Sequence, residues 1–299
     1  SVAVIVSVTN SVCCFPILSY GSEEQKQKYL IPLAKGEKLG AFCLSEPQAG
    51  SDATNLKTRA VLDGDDYIIN GTKSWVTNGG YSDTHIVMAI TGEKDGKKEV
   101  TAFIVEKDTP GLAVSSIEHK LGQRASQTTE LSFTDVRVSK DNILGKLGEG
   151  MKVAFASLDN GRIGIASLSV GIAAAAFAEA TAYAKDRVAF GKPIAEHQAI
   201  QFKLADMATE IEASRLLTLR AALAKDAGNP KTGVYASMAK LYASETANKV
   251  CADAIQIHGG NGYSRHYNVE KYYRDARITT IYEGTSEIQR IVISRGILK

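Results

Sequence analysis

The spacing of apolar residues changes sharply along this 299-residue chain, and the change limits the folds open to it. Between about Ala41 and Gly145, short apolar runs of strand period alternate with turn signals such as Asp63-Gly64. This pattern is typical of an antiparallel sandwich or barrel. We therefore predict an all-β region, and the hairpin formed by residues 93–105 is among its clearest elements.

Long helical segments replace the strands after Gly150, and they predict a helical bundle. Residues 1–39 predict a helix, a break at Gly21 and a short helix capped by Ser22. The predicted fold class is therefore α+β and multidomain. Its domains are the remnant of an N-terminal helical domain (residues 1–39), a middle antiparallel β-barrel or sandwich domain (40–146) and a C-terminal helical bundle domain (147–299).

Composition and charge exclude several classes of function. The chain carries 35 basic and 33 acidic side chains without a block of like charge, so we predict no nucleic-acid-binding surface. Its four cysteines form no C-x-x-C pair and have no histidine at zinc-ligand spacing, so we predict neither a metal site nor a disulfide framework. A reducing compartment is the simpler interpretation.

The apolar stretches and the first residues bear on targeting. No uncharged apolar run reaches about 18 residues, so no membrane span is predicted. The chain opens on Ser1 inside an apolar, helix-like segment, and we expect the natural N-terminus to lie further upstream. Glycine-rich motifs of Rossmann and P-loop sites and the hydrolase nucleophile elbow are missing from the sequence, which makes those classes unsupported.

Two segments of the β region suit a planar polar ligand. Phe42–Asp52 places hydroxyls and backbone N–H groups in a loop with Pro and Gly, although a structural turn explains it about as well. Trp75–Gly79 places the only Trp on a strand before a turn, where it could stack on a flavin. A strand Trp is more often part of the core.

Three kinds of segment in the helical region could also bind a ligand. Tyr282–Glu287 starts the last helix, with Ser286 as the expected N-cap, and its free N–H groups suit an electron-rich ligand; ordinary acidic residues at a helix start are the alternative. Gln256–Tyr263 has three glycines after a helix, which one C-cap does not explain. Asp159–Arg162 and Arg187–Lys192 offer arginines to phosphate or simply to solvent.

These segments, in this order and at these separations, resemble the signatures of the acyl-CoA dehydrogenase family over the whole chain, closest to the short-chain (butyryl-CoA) type. The resemblance implies an N-terminal helical domain, a middle β domain and a C-terminal four-helix bundle, with FAD between the last two. It also implies fatty acid β-oxidation, an acyl-CoA substrate, electron-transfer flavoprotein as the redox partner, and a homotetramer. The expected location is the mitochondrial matrix or the bacterial cytoplasm.

The resemblance also assigns roles to individual residues. Glu283 matches the catalytic base that removes the α-proton of the acyl thioester, and burial would raise its pKa. The flavin-contacting or cofactor-loop positions are Phe42, Leu44, Ser45, Ser51, Trp75, Thr77, Thr285 and Glu287. The ADP half, in this family usually that of a neighbouring subunit, would be bound by Arg187, Phe190, Gln198, Gln256, Gly259 and Gly260. The substrate positions are Ser51, Asp159, Arg162 and Gly284.

Two further details favour a short, unbranched acyl chain. Some relatives carry the base near the residue that is Gly161 here, whereas this chain has Glu at 283. The first helix offers Val4, Ile5 and Val8 and no Arg, which argues against the glutaryl-CoA branch. An acyl-CoA oxidase and a non-catalytic scaffold or assembly protein remain alternatives. A shortened helical domain would leave part of the acyl pocket open to water.

Overall fold

The computed structural model describes residues 2–298, which form two compact units. The first unit contains the described residues up to Lys120 together with Arg124–Gly161. The second contains Leu121–Gln123 and the described residues from Arg162 onward. The predicted domain limits at 39/40 and 146/147 stay a prediction.

Helices open the first unit. Helix α1 (Val2–Tyr20) includes a π-helical stretch at Thr9–Cys14. Helix α2 consists of three contiguous pieces, Glu23–Gln25, Lys26–Leu30 and Ile31–Ala34. It begins with the predicted cap, because the Ser22 side chain accepts from the Gln25 backbone N–H while the Gln25 side chain accepts from the Ser22 N–H. This reciprocal capping box satisfies two backbone donors at the helix start.

The remainder of the first unit is dominated by an eight-stranded sheet. Its strands are β1 (Gly40–Cys43), β2 (Arg59–Asp63), β3 (Asp66–Thr77), β4 (Thr84–Lys94), β5 (Lys97–Glu106), β6 (Leu112–Ile117), β7 (Thr128–Ser139) and β8 (Ile143–Leu144). The order is β6-β7-β3-β2-β4-β5-β8, with β1 paired to β4.

Most pairs in this sheet are antiparallel, as the turn signals predict. The β4–β5 hairpin turns at Asp95 and Gly96, both at positive φ, which matches the twist of a tight hairpin. Strand β4 pairs in parallel with β1 and with one residue of β2, so the sheet is mixed. One core cluster lies between the sheet and the first helices, and a second is formed by side chains such as Ile69, Phe103 and Leu131.

The second unit is helical. Helix α3 (Gly150–Asp186) begins in the first unit and continues here, followed by α4 (Gln198–Asp226), α5 (Thr232–His258), α6 (Val269–Arg277) and α7 (Ser286–Ile297). A short hairpin, β9 (Val188–Ala189) with β10 (Lys192–Pro193), connects α3 to α4. The four long segments match the predicted ones to within a residue or two, and α6 is an addition.

Small residues carry the core of this unit. Helices α3 and α5 bury many alanines, including Ala176, Ala180, Ala243 and Ala247, which lets the two backbones approach closely. Met207 and Ile211 of α4 pack against them. The helical bundle and the sheet together confirm the predicted fold class.

Two helices pass a test of length and apolar composition for a membrane span, α1 and α3. Half of the tested window of α1 and 39% of that of α3 are buried within the protein. Val4, Val12 and Ile17 of α1 and Ala173 of α3 are among the buried residues. Core helices of folded domains pass the same test, so it is weak evidence for a membrane span.

Candidate active site

The structure brings the two predicted ligand segments of the first unit together. The Ser74 backbone N–H donates to the Ser45 carbonyl at 2.9 Å, which fixes the loop after β1 against β3. Leu44 is buried and Ser45 is half-buried, directly beside the strand that carries Trp75. Backbone pairing therefore places Leu44, Ser45 and Trp75 in one region of the sheet.

Trp75 does not belong to the core. Its side chain is 62% exposed, and its backbone has a φ of +60° at a point where the β3–β7 register shifts between Lys73 and Val76. A positive φ in an aromatic residue costs of order 1–3 kcal/mol and persists only where the surroundings fix it. The core alternative for Trp75 is wrong, and the strained bulge presents an indole to the surface.

A buried ion pair holds this region in place. Lys73 Nζ donates to Glu46 Oε1 at 2.8 Å and to the Leu44 carbonyl at 3.2 Å, with both side chains almost fully shielded from solvent. Glu46 also accepts from the backbone N–H groups of Lys57 and Thr58, at 2.6 and 3.1 Å. Burial opposes the ionised carboxylate, but Lys73 and these donors lower the pKa of Glu46 to about 2.

The pair involves a cost on the lysine side. Burial lowers the pKa of Lys73, and the Glu46 carboxylate opposes that shift. We regard both groups as charged, because the carboxylate accepts donors on both oxygens and the ammonium has two acceptors. The pair therefore connects the loop, β3 and the start of β2 around the exposed Trp75.

The remaining first-unit candidates lie at the margins of this region. Phe42 and Thr77 are half-buried on β1 and at the end of β3, and Ser51 is exposed in the turn after Ala49. Asp159 is half-buried on α3 near the end of the first unit. Their roles toward a cofactor or substrate stay predictions.

In the second unit, Glu283 and Gly284 form an unusual turn before α7. Glu283 has a φ of +52° and Gly284 a φ of +92°, a conformation that glycine adopts freely and glutamate rarely. Among the described residues, no hydrogen-bond partner contacts the solvent-shielded Glu283 Oε2. The carboxyl group therefore has an oxygen available to another reactant.

The start of α7 differs by one residue from the prediction. Thr285, not Ser286, is the N-cap: its Oγ1 accepts from the Ile288 N–H at 3.3 Å. Ser286 is the first residue of the helix and is buried. Glu287 lies exposed in the first turn, where a carboxylate interacts favourably with the helix dipole.

Buried charges set the ionisation of Glu283. Burial raises the pKa of Glu283 to about 7, and the positive charges of Lys240 and Arg162 oppose this shift. The direction agrees with the expectation from sequence. A carboxyl with a pKa near neutrality is partly ionised at physiological pH and is a far stronger base than an ordinary glutamate.

Arg162 lies in the same cluster. It is 6% exposed, and its Nη1 donates to the Ser237 hydroxyl at 3.4 Å. The structure therefore brings Arg162, Glu283, Gly284 and Thr285 into one region of the second unit, as the predicted roles require.

The other second-unit candidates share a different property, because all of them are exposed: Arg187, Phe190, Gln198, Gln256, Gly259 and Gly260. Phe190 is 96% exposed at the tip of the β9–β10 hairpin. Gly259 caps α5 at a φ of +58°, and a Cβ at Gly262 would approach the Ile255 carbonyl to 2.5 Å. Gly260 has neither explanation, since nothing lies within 4 Å of its would-be Cβ.

Sequence inspection missed four residues that support these sites. Lys73 and Glu46 hold the first-unit loop, while Lys240 and Gln289 contact the Glu283–Gly284 turn. Lys240 and Gln289 are both 0% exposed. A lysine in a single sequence carries no sign of burial, although the apolar or small neighbours of Lys240 on α5 hint at an inward-facing position.

Comparisons with known proteins give the family. Models of the acyl-CoA dehydrogenase N-terminal, middle and C-terminal domains match residues 1–37, 41–136 and 148–298. The chain therefore belongs to the acyl-CoA dehydrogenase family, whose cofactor is FAD.

Several relatives are similar over nearly the whole chain. The mitochondrial short-chain specific acyl-CoA dehydrogenase of Bos taurus is 51% identical over 299 residues, which is 100% of this chain and 72% of that protein. The solved butyryl-CoA dehydrogenase of Megasphaera elsdenii has a TM-score of 0.97 and 48% identity over 99% of this chain and 77% of that one. A chain in a solved structure of the electron transferring flavoprotein of Acidaminococcus fermentans has a TM-score of 0.97 and 49% identity over 99% and 78%.

Proposed function

We propose that this chain catalyses the FAD-dependent α,β-dehydrogenation of short-chain acyl-CoA thioesters to trans-2-enoyl-CoA, with Glu283 as the base that removes the α-proton. The observation that carries the proposal is the Glu283 carboxyl itself. It is shielded from water, has an oxygen without a partner among the described residues, and has a pKa raised to about 7 by burial.

Glu283 acts as a general base. Above about pH 7 its carboxylate is ionised in the folded protein, and its free oxygen accepts the α-proton of a bound thioester. A general base contributes roughly 10²- to 10⁴-fold to such a step. Arg162 lowers the pKa of Glu283, so it keeps a fraction of the carboxyl ionised at neutral pH despite burial.

The residues present fit FAD. The exposed, strained Trp75 and the pinned Leu44–Ser45 loop offer a flat aromatic surface and backbone groups in the first unit. In the second unit, the exposed Arg187 and Phe190 and the open Gly260 would bind the ADP half. Bound FAD supplies the acceptor for the hydride that leaves the β-carbon.

A cavity in the second unit supports the ADP assignment. It measures about 430 Å³ and is lined by Arg187 with Tyr183, His258 and Asn261, among others, a size within the range of ligand pockets. Glu179 and Asp186 also line it, so a pyrophosphate would lie on the arginine side. An almost fully exposed Phe190 is unfavourable in a lone subunit, which supports a homotetramer in which a neighbour covers it.

Short acyl chains are the proposed substrates, since proteins named as short-chain or butyryl-CoA dehydrogenases are about half identical to this one. The likeness to a chain in an electron transferring flavoprotein structure supports that flavoprotein as the electron acceptor. With bacterial and mitochondrial relatives, the bacterial cytoplasm or the mitochondrial matrix is the proposed location.

An acyl-CoA chain-length series tests the proposal. We expect butyryl-CoA to bleach the flavin of the anaerobic holoenzyme faster than octanoyl-CoA or isovaleryl-CoA does. Faster bleaching by the long or branched thioester would contradict the substrate assignment. In air, peroxide release at the rate of turnover would identify an oxidase, and a preparation without FAD or bleaching would identify a scaffold.

A further inference from the structure

Two buried side chains converge on the carbonyl oxygen that follows Glu283. Lys240 Nζ donates to the Gly284 carbonyl at 2.7 Å, and Gln289 Nε2 donates to the same oxygen at 2.8 Å. Gln289 also donates to the Glu283 carbonyl at 3.2 Å. One donor comes from the middle of α5 and the other from the first turns of α7, so the turn is held from two helices.

This turn needs to be held. Glu283 adopts a left-handed backbone that glutamate populates rarely, and it does so next to a glycine at positive φ, so the conformation depends on its surroundings. A Cβ at Gly284 would approach Gln289 Nε2 to 2.7 Å. The direction in which the Glu283 carboxyl points therefore depends on the donors that fix its carbonyl and that of Gly284.

Hydrogen bonding alone does not require a cation at position 240. Gln289 already donates to the Gly284 carbonyl as a neutral amide, and a buried ammonium is much more costly than a buried amide. Among the described residues, the Lys240 ammonium forms no direct ion pair, and its hydrogen bond is to the Gly284 carbonyl. The costly charge therefore asks for an explanation beyond packing.

The charged groups that face Lys240 are known from each surrounding element. They are Arg162 on α3, Glu245 on α5 itself, Glu283 in the turn and Glu287 on α7. Burial lowers the pKa of Lys240 to about 8, with Glu283 opposing the shift most strongly among these groups. Conversely, Lys240 opposes the effect of burial on Glu283 more than Arg162 does.

We propose that Lys240 is a positioning residue for Glu283: it holds the Glu283–Gly284 turn through the Gly284 carbonyl and supplies the buried positive charge that keeps the carboxyl ionised at neutral pH. This inference rests on the proposed role of Glu283 as the base. Lys240 acts through Glu283 and its turn and contacts no reacting atom in this account.

The test compares variants of the holoenzyme over a range of pH. Lys240→Met removes the donor and the charge, Lys240→Gln keeps an amide and removes the charge, and Gln289→Leu removes only a neutral donor. Lys249→Met is the matched control, because Lys249 lies exposed on the same helix and pairs with Glu210. The measured quantity is the rate of anaerobic flavin bleaching by butyryl-CoA, together with the FAD content of each preparation.

The expected results separate charge from structure. With the charge removed, the pKa of Glu283 rises, so the acid limb of the rate profile moves to higher pH by roughly one unit or more in both Lys240 variants. Gln289→Leu lowers the rate without moving the limb, and Lys249→Met changes neither. An unmoved limb in FAD-loaded Lys240→Met or Lys240→Gln would overturn the proposal.

Two further outcomes are decided in advance. If only Lys240→Arg yields holoenzyme while both neutral variants lose FAD, the charge serves folding and the proposal is wrong. Glu283→Gln separates the two claims: bleaching retained in that variant removes Glu283 as the base, whereas an inactive Glu283→Gln with an unmoved limb in the Lys240 variants removes only the role of Lys240.

Discussion

Burial of the Glu283 carboxyl makes the stability of this protein depend on pH in a way that one substitution reveals. The pKa of Glu283 rises from its ordinary 4.5 to about 7 in the folded chain. This difference corresponds to about 3 kcal/mol between the protonated and ionised forms. Because the folded state holds the proton more tightly, the stabilising contribution is complete below about pH 4.5 and is lost as pH rises to about 7.

Glu283→Gln removes this dependence, because glutamine stays neutral at every pH. We expect the variant to gain about 3 kcal/mol relative to the wild type between about pH 4.5 and about pH 7.5. For a protein of this size the gain corresponds to roughly 6–12 °C in the thermal midpoint. Scanning calorimetry of both FAD-loaded proteins at several pH values in this window measures it.

The matched control is Glu212→Gln, an exposed carboxylate on α4 that pairs with Arg215. Its midpoint difference from the wild type stays constant over the same window, because exposed pairs contribute little. A constant difference for Glu283→Gln as well would mean that Glu283 ionises normally in the folded protein, and the reasoning about its burial would be refuted.

Other variants test the supports of the site. Lys73→Met leaves the Glu46 carboxylate buried without its cation, so we expect a loss of roughly 3–5 kcal/mol and a lower ratio of FAD to protein after gel filtration; full retention of both would contradict the pinning role of the pair. Phe190→Ala changes a 96% exposed side chain, so the circular dichroism spectrum should be unchanged while FAD retention or tetramer mass in sedimentation falls; no change in either speaks against a neighbour or cofactor at Phe190. Thr285→Ala removes the N-cap of α7 and should cost about 1 kcal/mol in denaturant unfolding, with Thr285→Ser close to the wild type; equal losses in both would show that the cap bond is not the cause.

The sequence predicts the broad architecture because periodicity and turn residues are local signals. The long helices, the Ser22 cap and the β4–β5 hairpin all follow from such signals. The parallel pairing of β1 with β4 does not, because it joins residues more than forty positions apart through side-chain packing. Helix α6 is short and rich in charge, so its apolar stripe is too weak to stand out.

The candidate site shows the same division. Glu283 is found through its motif, but the buried Lys240 and Lys73 are not, because only tertiary structure encloses a lysine. The exposure of Trp75 depends on a bulge in β3, which no residue type in that strand announces. The N-cap falls on Thr285 instead of Ser286 because both side chains can cap, and only the backbone conformation decides between them.

The most direct test of the central claim is the anaerobic bleaching of bound flavin by butyryl-CoA in Glu283→Gln, with Glu212→Gln as the control. The account predicts that Glu283→Gln binds FAD and butyryl-CoA but bleaches at least about 100-fold more slowly than the wild type, while the control bleaches at the wild-type rate. Bleaching of Glu283→Gln at a rate close to the wild type would show that another group removes the α-proton.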